Sequence, residues 1–506
     1  MRRGLQGMLV VAGLSIASAA PAVVLGQRDQ GQVLIFPYYS TNAGNTTLLT
    51  VNNNSERGKV VQLRVAEGEI GETALVTNLY LAGRDSWSAA IARDGERIVL
   101  LSDDASCVLP ALSQAAPQQP GRRLQPLLVA GSPGTVERLA EGWVEAIEIA
   151  SVVPNTATDR ALGNVVGDGR NCTALAAAWT APGGYWAGQP LRDLANPRGG
   201  LGGSAAIINV AAGTFFGAAA VALDEFRVDP DDKPRGSIAS VVRHFLPTAQ
   251  QSLSLADALN GPQERSVNAE VRVDNRRMEL SYPLERAVDA VSAVLAASEV
   301  SADFDTRGEL GATTSFVQVF PTKRFYTNPA LLPPGTTAPL PPFRTMYNER
   351  SPLSVVEREW LLVSDREGRP LLDSGGLQFG GCETSAHHPA TALAVIVPGD
   401  GAPDALLGSR YHGNMATYCG PAPVATPDQT GLVTLKLGQP TFGNGPVALR
   451  PSREGQRLLG LPVVALRLIN YVNAGAQQGV LANYSSALPL AAATQCVDGT
   501  GQPCTP

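Results

Sequence analysis

The clearest strand patterning of hydrophobic and polar residues runs from Gln32 to Leu101. Val61, Leu63 and Val65 alternate with Gln62 and Arg64, which predicts a strand with one buried and one wet face. Trp87, Ala89 and Ile91 repeat the pattern. Asp94-Gly95 then separates that run from 97–101, a hairpin signal because both turn positions favour positive φ. A polar turn, 52–58, divides 48–51 from 60–66. Short strands at this spacing predict an antiparallel sandwich or barrel, and about six runs between Gln32 and Leu101 fit one immunoglobulin-like sheet pair.

Further along, Pro117, Pro120 and Gly121 mark a boundary loop, and 143–151 reads as a strand. The alanine-rich stretch 171–180, ended by Gly183-Gly184, predicts a short helix. Val288, Val291, Val294 and Leu295 keep helical spacing and predict a second helix near 285–298. Ser354 and Glu357 match a capping box, yet 360–363 beyond them reads as strand. Six prolines between Pro329 and Pro342 remove ladder donors, which predicts an extended linker or long surface loop. Strand runs resume at 361–363, 392–397, 432–437 and 463–472, with a last one at 483–490. The tail after Ala491 reads as loose.

The expected class is therefore mainly β, with antiparallel immunoglobulin-like β-sandwich parts and a few short helices. The expected organisation is a leader at 1–26 and an N-terminal sandwich region at 27–113. A second β-rich region with short helices follows at 124–327, and a proline-rich linker or loop at 328–343. A C-terminal β-rich region occupies 344–490, ahead of a stapled tail at 491–506.

Length and composition narrow the class further. The chain has 506 residues, 44% hydrophobic and 17% charged, with 52 glycines and 38 prolines. That excludes a collagen, a coiled coil and a wholly disordered chain. A net charge of −6 argues against nucleic acid as a partner. Arg2 and Arg3 precede an apolar run from Met8 to Ala20, the pattern of a secretory signal peptide. Candidate cleavage positions follow Ala19, Ala22 or Gly26. An even set of six cysteines agrees with export to an oxidising compartment. Their clustering favours Cys107–Cys172, Cys382–Cys419 and Cys496–Cys504. Between Arg198 and Asp224 lie 25 residues without a charge, long enough to span a bilayer. Their centre, Ala211-Ala212-Gly213-Thr214, predicts a hairpin turn instead, so no transmembrane span is expected in the mature chain.

Three motifs carry a resemblance. Val33-Leu34-Ile35-Phe36-Pro37-Tyr38-Tyr39, with Asn45-Thr46-Thr47 and Asn52-Asn53 after it, resembles the opening of a group of secreted β-rich proteins of Gram-negative bacteria. Phe320-Pro321-Thr322-Lys323-Arg324-Phe325-Tyr326 looks like a second signature of that group. Gly460-Leu461-Pro462-Val463-Val464, followed by Asn483-Tyr484, looks like a third. The resemblance implies export and a β-rich fold, and no activity.

Chemical motifs are sparse. The chain has no G-x-S-x-G, H-E-x-x-H, Walker A or C-x-x-C pattern, and no cofactor is implied. Its four histidines are His244, His387, His388 and His412. A Ser/His/Asp hydrolase needs one of them as its base. His387, His388 and His412, flanked by Cys382 and Cys419, form the one candidate zinc or copper site. Asp224, Glu225, Asp229, Asp231 and Asp232 form an acidic cluster of the kind that holds calcium, although no EF-hand order is present. Glu145 and Glu148 stand on a predicted strand, three residues apart and so on opposite faces. Trp179, Tyr185 and Trp186 are the one local aromatic cluster, expected to be packing.

These observations favour an exported structural or interaction protein of the cell envelope. Its expected partners are another envelope protein or a surface polysaccharide. A carbohydrate-active or other hydrolytic enzyme with dispersed carboxylates, and a periplasmic metal-binding protein, are the alternatives.

Overall fold

A computed structural model of the chain describes residues 21–114, 123–129, 135–180, 182–229, 241–261, 265–348, 350–369, 382–398, 404–419, 422–424, 429–438, 446–477 and 480–504. With 47% of the chain in strands and 11% in helices, it is mainly β and belongs to the sandwich class.

The sheets stack in three layers. The outer sheet runs, in spatial order, Thr214–Ala219, Leu201–Asn209, Thr46–Asn53, Ser86–Asp94, Arg97–Ser102, Arg123–Pro126 and Ser113–Gln114. The middle sheet runs Val24–Leu25, Val221–Asp224, Val33–Ser40, Glu141–Val152, Lys59–Glu67, Thr73–Leu81 and Cys107–Leu109. The third sheet begins with Val480–Pro489, Val464–Gln477 and Ala312–Val319 and ends with Thr430–Lys436, Glu299–Asp305 and Ala491–Ala493. Its first and last strands are consecutive in the chain, so the sheet curls almost closed around a core of its own. Phe304, Phe316, Leu361, Ile396, Met415 and Leu435 meet there. Most pairings are antiparallel, as alternation predicts; Leu393–Pro398 and His412–Cys419 pair in parallel.

Burial sets the middle sheet apart. Every residue of Val33–Ser40, Lys59–Glu67 and Glu141–Val152 is buried. Leu34, Phe36, Val61, Leu63 and Val144 pack toward the outer sheet against Leu49, Trp87 and Ile91. Val33, Ile35, Val60 and Ile147 pack the other way, in one core with Val317, Val319, Leu393 and Val395 of the curled sheet. The wet face expected for Gln62 and Arg64 is therefore absent: they are 0% and 1% exposed. The C-terminal half covers them. The outer sheet keeps the alternating pattern.

This layering moves the boundaries. Strands on both sides of 114–123 share both N-terminal sheets, so the expected break there is not one, and the sandwich runs from residue 24 to 224. The expected second region is split, because Glu299–Asp305 and Ala312–Val319 belong to the curled sheet. The proline-rich stretch links strands of that same sheet. Phe343 is buried beside Phe320 and Tyr326, which makes it a packed loop rather than an interdomain linker. The tail is not loose: Ala491–Ala493 pairs with Glu299–Ser301, and Gln495–Val497 with Arg457–Leu459.

Residues 1–20 of the expected leader lie outside the described residues. Val23, by contrast, is fully buried and bonded to Asn268 and Glu270, and Val24 pairs with Asp224. A boundary after Gly26 would remove a strand of the middle sheet.

Local signals are otherwise met. The helices Cys172–Ala177 and Ala287–Val294 form, and the uncharged run folds as the hairpin Leu201–Asn209/Thr214–Ala219. Asp94 pairs with Arg97, so the turn residues are Gly95 and Glu96, and Gly95 alone has positive φ. Val356–Ser364 is strand rather than a helix capped by Ser354. Pro37 sits inside a central strand that itself bulges there, Pro37 and Tyr38 together lying opposite Trp143 between the Phe36–Val144 and Tyr39–Gly142 pairs, which accommodates the missing donor. Cys107–Cys172 and Cys496–Cys504 are disulfides, and the strand register sets Cys382 opposite Cys419. Among the described residues no helix is long and apolar enough to cross a membrane.

Candidate functional site

Burying a sheet on both faces forces its charges to be matched. Arg64 Nη1 lies 2.9 Å from Glu145 Oε1, an oxygen that also accepts from Trp143 Nε1 at 2.9 Å. Arg64 also donates to Gly71 O. On the opposite face Glu148 accepts from Lys59 Nζ at 2.7 Å and from Gly199 N at 2.8 Å. Glu145 and Glu148 thus do face apart, and each is committed to an ion pair. The 68–71 turn is clamped by the C-terminal half: Leu393 N donates to Gly68 O, Ala392 N to Glu69 O, and Arg324 Nη1 to Gly71 O.

Glu141 is the titratable group with the most catalytic chemistry. Burial pushes its carboxyl up to about 7, against hydrogen bonds from Ser409, Arg410 and Tyr38. That range suits proton transfer at neutral pH. However, the side chain is 0% exposed. Tyr38 OH donates to Oε2 at 2.8 Å and Arg410 N–H to Oε1 at 2.9 Å. No substrate atom reaches it in this conformation, and its geometry is that of a joint between the halves.

The histidines do not converge. His387 and His388 are neighbours on Cys382–Pro389 and point to opposite faces. His388 is buried, and burial alone would lower its pKa, but Glu359 at 3.2 Å outweighs that and raises it. Burial, then Arg358 and His388, lowers half-buried His387. His412 Nδ1 donates to Ser409 O at 2.9 Å. Among the described residues no three His, Cys, Asp or Glu side chains gather as metal ligands; the Cys382 and Cys419 side chains lie outside the description. His244 packs edge-on against Trp186 and Tyr80 and tilted against Trp179. Burial lowers it to about 4, so it is neutral at pH 7. Tyr80 OH donates to its Nε2 at 2.9 Å, and Nδ1–H donates to Pro190 O at 2.7 Å. The aromatic cluster is packing, as expected.

The acidic cluster is divided. Asp224 and Glu225 lie on the rim of a cleft, Asp229 is buried elsewhere, and Asp231 and Asp232 lie outside the described residues. Burial raises Asp224 and Glu225, and each has another carboxylate nearby that adds to the rise. The calcium set is therefore not assembled among the described residues.

That cleft has a volume of about 1160 Å³. Three parts enclose it: the sandwich edge at 24–30 and 221–225, the hairpin Ser266–Val273/Arg276–Pro283 with the end of helix Ala287–Val294, and the seam of the curled sheet. Val271, Leu295 and Val464 contribute apolar lining, while Arg28, Asp224, Arg272 and Asp274 bring charge. Leu25 is 51% exposed there. Of these residues the sequence singled out only Asp224 as a site candidate, within the acidic cluster, and it did not bring the others together. It assigned Leu25 to the leader and did not read the hairpin, although Asp274-Asn275 between two alternating runs is a turn signal. Both residues have positive φ, 49° and 62°, as a type I′ turn requires.

No protein-family model matches the chain, and a search of curated proteins finds no match.

Proposed function

We propose that this is an exported structural or interaction protein of the cell envelope whose contact surface is the cleft. The supporting observation is the cleft itself: an opening with apolar lining and a charged rim, at the meeting point of three structural units. Binding sites concentrate at such junctions. The strongly perturbed carboxylate Glu141 is sealed, and Glu145 and Glu148 are committed to buried ion pairs. Two described disulfides suit an oxidising compartment. The partner is another envelope protein or a surface polysaccharide.

A photo-crosslinking residue at Gln27 or Asn275, on the rim, tests this in cells that export the protein. Discrete adducts from the rim are expected, with none from Val166, which is fully exposed and does not line the cleft. Adducts from Val166 alone, or none from any position, would contradict the proposal.

A further inference from the structure

We infer that the cleft binds an extended peptide segment by strand addition, an inference that rests on the cleft being the contact surface. It starts from a ladder that begins and then stops. Val23 N–H donates to Asn268 O at 2.8 Å, and Glu270 N–H donates to Val23 O at 2.8 Å. This is the first rung of a parallel pairing between the N-terminal strand and Ser266–Val273, and an isolated bridge marks it. Beyond it the two strands part. Val24 and Leu25 follow Val221–Asp224, and Gly26 N–H bonds Ala222 O at 2.8 Å. Among the described residues no rung joins Leu25 to Glu270 or Arg272, and the cleft opens between them.

The backbone directions follow from strand parity. Val23 bonds even-numbered residues of Ser266–Val273, so the N–H and C=O of Arg272 point to the same side, into the cleft. The odd-numbered residues exchange bonds with Arg276–Pro283. By the same parity Leu25, two residues after Val23, presents its N–H and C=O to the cleft from the other wall. Two open strand edges therefore face each other across one opening. Such edges are templates for an added strand.

Size and lining select the occupant. At about 1160 Å³ the cleft exceeds the roughly 300–1,000 Å³ of small-molecule sites, which favours a polymer segment. Main-chain donors and acceptors at strand spacing favour a peptide over a polysaccharide. Half-exposed Leu25 offers an apolar contact in the cleft, and an added strand turns only every second residue toward it, so the segment alternates apolar and polar residues.

A random twelve-residue peptide library panned on the full chain tests this. Enriched peptides should share an alternating apolar pattern. They should bind Arg272→Ala within threefold of the wild type, because the N–H is kept. They should bind Arg272→Pro at least tenfold more weakly, because only the donor at an open edge is removed. If Arg272→Pro melts early, amide exchange replaces it: the Leu25 and Arg272 amides should slow in the complex. Peptides that bind Arg272→Pro as well as wild type, or leave both amides unprotected, would overturn strand addition and keep the cleft as a contact surface. If no peptide is enriched, or if enriched peptides ignore Leu25→Arg, strand addition fails; rim crosslinks would then show whether the contact-surface proposal stands without it.

Discussion

Replacing Glu141 by Gln should change how stability depends on pH. The carboxyl moves from 4.5 to about 7 on folding because it is buried. Between those values the folded state holds a proton that the unfolded state has released. The stabilisation is complete below about 4.5 and is lost as pH rises through 7. A shift of about 2.5 units is worth about 3.4 kcal/mol, of which about 2.5 kcal/mol falls between pH 5 and 8. His244 acts in the opposite sense. Its folded value is depressed to about 4, so it loses about 2 kcal/mol on going from pH 8 to pH 5. The wild-type profile is therefore nearly flat from these two groups alone, and the comparison with Glu141→Gln is the informative one. In the Glu141→Gln variant the Tyr38 OH can turn to accept from the new amide, so the hydrogen bonds survive. Urea denaturation of both proteins at pH 5 and pH 8, with disulfides intact, reads the effect. The variant should gain about 2.5 kcal/mol relative to wild type between pH 5 and 8. Parallel profiles would show that Glu141 does not sit in a desolvated joint.

Breaking the buried pair with Arg64→Leu should cost about 3–5 kcal/mol, whereas Arg64→Leu with Glu145→Leu should cost much less; chemical denaturation measures both. Cys107→Ser opens a 65-residue loop and should cost about 4 kcal/mol. Cys504→Ser opens one of 8 residues and should cost about 2.5 kcal/mol, so the order of melting temperatures tests the pairing. Residues 296–504 expressed alone should aggregate, because Val317, Val319, Leu393 and Val395 lose the middle sheet that covers them; a monomeric, cooperatively melting product would refute the three-layer packing.

Local elements were legible because their causes are local. The turn at 52–58, the hairpin around Gly213, the alanine-rich helix and the helix at 287–294 each follow from spacing and turn residues. The layering was not legible. Nothing within Lys59–Glu67 tells a wet Arg64 from one buried against Glu145, because the partner is 81 residues away. Boundaries failed for the same reason: the strands flanking the composition shifts near 117 and 333 share sheets, and such a shift does not tell a connection within a sheet from one between domains. The candidate ligand sets failed because closeness in sequence placed His387 and His388 on opposite faces of one strand. The Asp274-Asn275 turn was readable and was passed over. Leu25 was hidden by its position behind a leader pattern, although Val23 and Val24 are integral to the middle sheet.

The cleft is tested most directly by combining a crosslinker with a blocked wall. With the photo-crosslinking residue at Asn275, adduct yield is measured in cells exporting the otherwise wild-type chain and the Leu25→Arg variant. Leu25 is half exposed in the cleft, so the variant should fold, with an unchanged melting temperature. The account predicts a discrete adduct from the first protein and its loss from the second. An adduct of equal yield in both would contradict it.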